Sequence, residues 1–167
     1  MRIAWGRSLF YFLILAGVGA GISHFTDAQR SSDGTVTKAG TQTFDQLHIG
    51  DCIEKTSSDG PSPAPSSEGD SSFNVVPCSQ PHIWEVFGQT AVTDSEFNDL
   101  TLQDESSSFC SNEFTTYVGV TPSYSSLRFE WYQPTQETWH SGDRLITCLA
   151  ATSDKQMTTG SFKNYNG

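Results

Sequence analysis

The chain is short of positive charge: 9 Lys and Arg stand against 19 Asp and Glu in 167 residues, a formal net charge of -10. Nucleic acid is held by clustered Lys and Arg that displace counterions from phosphates, so this composition argues against a nucleic-acid partner. No C-x-x-C pair occurs, which removes the usual ligand spacing of a thioredoxin-like or zinc-ribbon site. No G-x-S-x-G elbow surrounds any serine, so an α/β-hydrolase nucleophile has no support. With 35% apolar residues the chain can fill one modest core, and two full domains do not fit.

The most prominent feature present is a long apolar run, Leu9 to Ile22, inside an uncharged stretch from Ser8 to Phe25. Eighteen residues at about 1.5 Å each give roughly 27 Å of helix, close to the thickness of a hydrocarbon core. Arg2 and Arg7 precede it, which by the positive-inside bias keeps the N-terminus cytoplasmic and exports the chain beyond Phe25. Residues 1–25 therefore read as an uncleaved transmembrane signal anchor, with a cleaved signal peptide ending near Gly21 as the competing reading. Both place the body outside the cytoplasm: a cell-membrane protein in the first case, a secreted one in the second. No cysteine closely follows the run, so a lipoprotein anchor would lack its acceptor thiol. From Ser31 onward 6 basic residues face 18 acidic ones, so an acidic body follows a basic end.

Cys52, Cys78, Cys110 and Cys148 are even in number and widely spaced, the pattern of a disulfide framework in an exported domain. Three connectivities are possible. Cys52 with Cys78 is favoured because the two flank what read as neighbouring strands, and Cys110 with Cys148 because it ties a helix to the last strand.

Composition divides the body. Residues 26–43 are rich in Ser, Thr, Gly and Asp without an apolar period and read as a flexible linker. The domain runs over 44–153, interrupted by a Ser- and Pro-rich disordered loop at 56–72, and 154–167 read as a polar tail. Strands are predicted near Ile53, at 73–76, 83–92, 127–132 and 145–151. On the longest, Trp84, Val86 and Gly88 fall on one side and Ile83, Glu85 and Phe87 on the other. A helix is predicted over 104–117, capped by Asp104 and closed at Gly119, with Cys110, Phe114 and Tyr117 on one face. The expected fold is α+β: a small, mostly antiparallel sheet, one main helix and two disulfides, preceded by the transmembrane or signal helix. Gly50 and Asp51 before the first domain strand echo Gly142 and Asp143 before the last, so one turn chemistry is expected to open both.

Several short motifs in order carry a resemblance. Gly50, Asp51 and Cys52 follow a short apolar lead; Pro77, Cys78, Pro81 and His82 come next, with Glu85 soon after. Cys110 precedes Tyr117 and Gly119, and Pro134 is followed by Trp139, Gly142, Asp143, Arg144 and Cys148. This combination, spanning about 44–161, resembles the septum formation domain family of exported actinobacterial proteins. The resemblance implies an extracytoplasmic, membrane-tethered or secreted domain linked to cell division or the envelope, and it transfers no catalytic residues.

Candidate chemistry is sparse. A zinc site from Cys78 and His82 with Cys52 and Cys148 competes with the disulfide framework, which the compartment favours. A strand would set His82 and Glu85, three apart, on opposite faces. Trp84, Trp131, Tyr132 and Trp139 would either fill the core or line a groove for an envelope protein or a cell-wall glycan or peptide. Arg144 is expected to brace its turn rather than bind an anion. The expected function is a non-enzymatic binding or scaffold module of the envelope without a cofactor, partnered with the membrane through its N-terminal helix. The alternative is an envelope hydrolase or metal-dependent enzyme using His82, Glu85 and His140.

Overall fold

The computed structural model describes residues 27–56 and 72–167; the expected signal anchor and most of the Ser- and Pro-rich loop lie outside the described residues. Among the described residues no helix is long and apolar enough to cross a membrane.

Eight strands form among the described residues, and six of them make the main sheet. In chain order they are β1 (Gln29–Arg30), β2 (Val36–Lys38), β3 (Gly40–Thr43), β4 (Cys52–Thr56), β5 (Ser72–Val76), β6 (Trp84–Ala91), β7 (Leu127–Tyr132) and β8 (Leu145–Thr152). β1 and β2 pair as a separate ribbon, while the main sheet runs β3-β5-β4-β6-β8-β7. Every ladder between these strands is antiparallel. With one long helix, α1 (Asp99–Val118), a one-turn α2 (Gln136–His140) and two disulfides, the architecture is α+β as expected.

α1 starts five residues before the expected position because Asn98, not Asp104, is its cap: the Asn98 side chain accepts from the Thr101 N–H. Its end is the expected one, at Gly119 with φ +93°. Leu102, Ser106, Cys110, Phe114 and Val118 repeat every fourth residue and form the buried stripe. That stripe packs on the β6, β8 and β7 side of the sheet, where Phe87 meets Phe114 edge-on at 5.6 Å and Phe129 at 6.2 Å.

A bulge in β6 at Val86 to Gly88 changes the expected face assignment. Gly88 joins Phe87 on the helix side, where an added Cβ would lie 3.1 Å from Glu113 Cβ and 3.4 Å from the Cys148 sulfur. Only glycine lets helix and disulfide approach the strand so closely.

The opposite sheet face is equally apolar, with Ile53, Phe73, Val75, Trp84, Val86 and Leu149 buried on it. α1 cannot cover both faces. Much of the cover comes from the segment expected to be a linker, where Val36 is buried against this face and Ala28 packs on it; Leu47 and Phe44, at the start of the expected domain, complete it. Residues 26–43 are thus corrected from flexible linker to part of the domain, contributing β1 to β3. Arg30 fastens this cover by a paired contact to Asp51, with the second bond, Nη2 to Oδ2, at 2.7 Å. The ion pair holds the guanidinium pKa above its ordinary value, chiefly through that hydrogen bond.

The polar tail is corrected likewise. Phe162 is 2% exposed in the helix-side core, and the Thr158 and His82 backbones exchange hydrogen bonds of 2.8 and 2.9 Å.

Candidate functional site

Cys52 at the start of β4 bonds to Cys78 just after β5, and Cys110 of α1 bonds to Cys148 of β8. These are the pairs favoured from the sequence. With separations of 26 and 38 residues the loops contribute about 3.5 and about 3.9 kcal/mol in the chain-entropy model. Among the described residues no free cysteine is left. The zinc reading is therefore overturned: all four sulfurs are bonded in pairs, and Cys148 belongs to the other disulfide.

His82 and Glu85 do not lie on opposite faces. β6 begins only at Trp84, so His82 stands before the strand in an isolated bridge to Thr158, and its ring turns in beside Glu85. One ligand-type atom each of Cys52, His82 and Glu85 lies within 4.8 Å of the other two, and all three residues are buried. The group is a polar core rather than a metal cage. Its only sulfur is in a disulfide, and Glu85 accepts from the Tyr117 hydroxyl (2.6 Å), the Ser161 hydroxyl (2.5 Å) and the Phe162 N–H. His82 Nδ1 sits 2.8 Å from the Gln80 carbonyl, and its Nε2 has no hydrogen-bond partner among the described residues. Burial first, and the Glu85 carboxylate second, push the Tyr117 phenol well above its ordinary pKa. His140 is exposed at the end of α2 and is not part of this group, so the three residues of the alternative hydrolase reading are not brought together.

The remaining motif residues have structural roles. Gly50 and Gly142 adopt φ of +94° and +96°, the left-handed turns expected at both strand entries. The following aspartates differ in use: Asp51 accepts from the His48 N–H and Arg30, whereas Asp143 accepts from the Leu145 N–H. Pro77 is half-buried and leads β5 into Cys78, while Pro81 is exposed at the turn before His82. Arg144 braces its turn as expected, donating to the Trp139 and Asp143 carbonyls and stacking 3.5 Å above the Trp139 ring.

The main sheet ends at β3 on one side and at β7 on the other, and among the described residues no further strand pairs with β7. A groove of about 640 Å³ lies along it, lined among others by Phe97, Phe129, Trp131 and Pro134. Its rim is polar and ordered. Gln133 accepts from the Trp131 indole N–H at 2.9 Å and donates to Asp99 at 3.3 Å, and Lys155 pairs with Glu130 at 2.7 Å. A second hollow of about 450 Å³ shares Phe97 and Gln136 with the groove and is bordered by Trp139 and Arg144. The four large aromatics therefore divide: Trp84, Tyr132 and Trp139 are buried, while half-buried Trp131 faces the groove. Phe97, Asp99, Gln133 and Lys155 are not singled out by any sequence signal. They come from separate segments, and only the alternating strand Leu127–Tyr132 ending at Pro134 marks the place.

Fold and site together define a disulfide-stapled α+β domain with a groove along one edge of its main sheet. The model of the septum formation family matches residues 22–148, and the chain belongs to that family. The match takes in β1 to β3, in keeping with their place in the domain. No curated protein and no solved structure matches the chain. Family membership points to a role related to septum formation, and the two disulfides fit an extracytoplasmic module.

Proposed function

We propose that this chain is a non-enzymatic binding or scaffold module of the cell envelope, tethered by residues 1–25 with its body outside the cytoplasm, and that it serves septum formation by holding an envelope protein. The observation that carries this reading is the β7 groove. A terminal strand offers an edge to which an extended segment can add, and flanking Phe129 and Trp131 supply apolar area; only at its start are the Leu127 N–H and carbonyl held by Ser125 and Arg128. Elsewhere the sulfurs are held in disulfides, Glu85 by three donors and Arg144 by its own turn.

The test is photocrosslinking in intact cells from the full chain, with a photoreactive residue at Gln133 on the groove rim and, separately, at exposed Thr159. A discrete adduct from Gln133 and none from Thr159 is expected. Equal, diffuse labelling from both would overturn the reading. Intact mass of the membrane-extracted protein checks the tether, since a start near Gly21 would remove it.

A further inference from the structure

His82 carries a buried ring nitrogen that makes no bond. The residue is 0% exposed, with the Phe162 ring 5.8 Å away. Its Nδ1 lies 2.8 Å from the Gln80 carbonyl, and a carbonyl only accepts, so that nitrogen carries a proton. Nε2 is left without a partner among the described residues, at a depth where an unmade hydrogen bond is costly. Two polar groups stand close by: a ring nitrogen of His82, a Glu85 carboxylate oxygen and the Cys52 sulfur lie within 4.8 Å of one another. Glu85 already receives three donors. The Cys52 sulfur, bonded to Cys78, has no proton to give.

Opening that disulfide supplies what is missing. As a thiol, Cys52 donates to the Nε2 lone pair; as a thiolate, it pairs with the ring in its protonated form. In either proton state the nitrogen gains a partner only when the disulfide is reduced, so His82 favours the reduced form. The two sulfurs are also unequal in access. Cys78 is half-buried and is the side open to attack, whereas Cys52 is 0% exposed and stands beside the ring. Each cysteine is held in place without the S–S bond: Cys52 by its ladders to Val76 and Glu85, and Cys78 by the Gly160 N–H, 2.6 Å from its carbonyl. A disulfide anchored on both sides can open and re-form while the domain stays folded. Cys110–Cys148 offers no such entry, since both of its residues are 0% exposed.

We propose that Cys52–Cys78 is a thiol-exchange site for an external dithiol, with His82 holding the reduced form. One thiolate of the dithiol attacks the Cys78 sulfur and the Cys52–Cys78 bond breaks. The electron pair goes to Cys52, which takes up the proton the attacking thiol gave up. The second thiol of the reductant then displaces Cys78 from the mixed disulfide in the same way, leaving two thiols in the protein and a disulfide in the reductant. Two electrons and two protons pass in all, and oxidation runs the same steps backwards.

The oxidised full chain in detergent micelles is equilibrated with reduced and oxidised dithiothreitol, quenched by alkylation and read for each cysteine pair by mass spectrometry. Wild type is expected to pass through a state in which Cys52–Cys78 alone is reduced, and to re-form that pair on oxidation. His82→Leu removes the unpartnered nitrogen. The equilibrium constant for reducing Cys52–Cys78 is then expected to fall on the order of tenfold, the worth of one buried hydrogen bond, with Cys110–Cys148 unchanged. Packing damage alone would act in the opposite direction and ease reduction. His82→Gln, whose amide reaches the Nε2 position, is expected to stay within about threefold of wild type. A near wild-type melt of the oxidised form establishes that each variant is folded, and should His82→Leu fail it, the singly reduced state of wild type and the Gln variant still decide. Disulfides that open only together, a folded His82→Leu reduced as readily as wild type, or a folded His82→Gln shifted tenfold or more overturns the proposal.

Discussion

Replacing Glu85 tests whether the C-terminal segment is clasped to the domain by one buried carboxylate. The side chain is 0% exposed and holds Tyr117 of α1 together with Ser161 and Phe162 of the tail. Glu85→Ala leaves the buried Phe162 N–H without an acceptor and the half-buried Tyr117 hydroxyl partly so, while exposed Ser161 turns to water. At about 1 to 3 kcal/mol per stranded buried donor, the loss is about 3 to 4 kcal/mol. That is a large part of the roughly 5 to 15 kcal/mol that keeps a domain of this size folded. Glu85→Gln keeps the shape and one acceptor oxygen but loses the charge-assisted bonds and turns an NH2 toward a donor, for about 2 kcal/mol. Urea unfolding of the oxidised chain reads both losses, and trypsin cleavage after Lys163 reads release of the tail. The reasoning fails if Glu85→Ala unfolds within about 1 kcal/mol of wild type, or if its tail stays as resistant as before.

Other perturbations address other joints of the fold. Arg30→Ala removes the partner of Asp51, whose side chain is 2% exposed, and should cost about 3 kcal/mol by denaturant titration while loosening residues 27–48 in hydrogen exchange. Graded dithiol reduction should open Cys52–Cys78 first, because Cys78 is half-buried whereas Cys110 and Cys148 are 0% exposed; mass spectrometry of alkylated intermediates showing the reverse order would count against this packing. Burial, with Glu130 adding to it, pushes the Tyr132 phenol up to about 12, and Tyr117 is raised as well. The unfolded chain loses these protons first, near pH 10, so their contribution is complete below about pH 10 and is lost as pH rises toward 12. Phenolate absorbance should show Tyr117 and Tyr132 titrating late, with unfolding stability falling over the same interval.

Sequence alone determined the parts whose stabilisation is local. β7 announces itself by alternation and β8 by a nearly continuous apolar run, the end of α1 by Gly119 and the strand entries by Gly50 and Gly142. The disulfide framework followed from cysteine number and spacing, and the family from the order of short motifs. Each of these rests on a preference that neighbouring residues express among themselves. Tertiary structure decided what distant segments do for one another. Residues 26–43 and 154–167 look like linker and tail because a single buried Val36 or Phe162 among polar neighbours makes no period. Their order comes from outside, from an apolar sheet face that α1 cannot reach and from a buried carboxylate that lacks donors without them. The same holds for the site. Phe129 and Trp131 are legible in the strand, but that β7 is an edge, with Phe97, Gln133 and Lys155 gathered along it, depends on strand order, and strand order is set by which faces can be buried together.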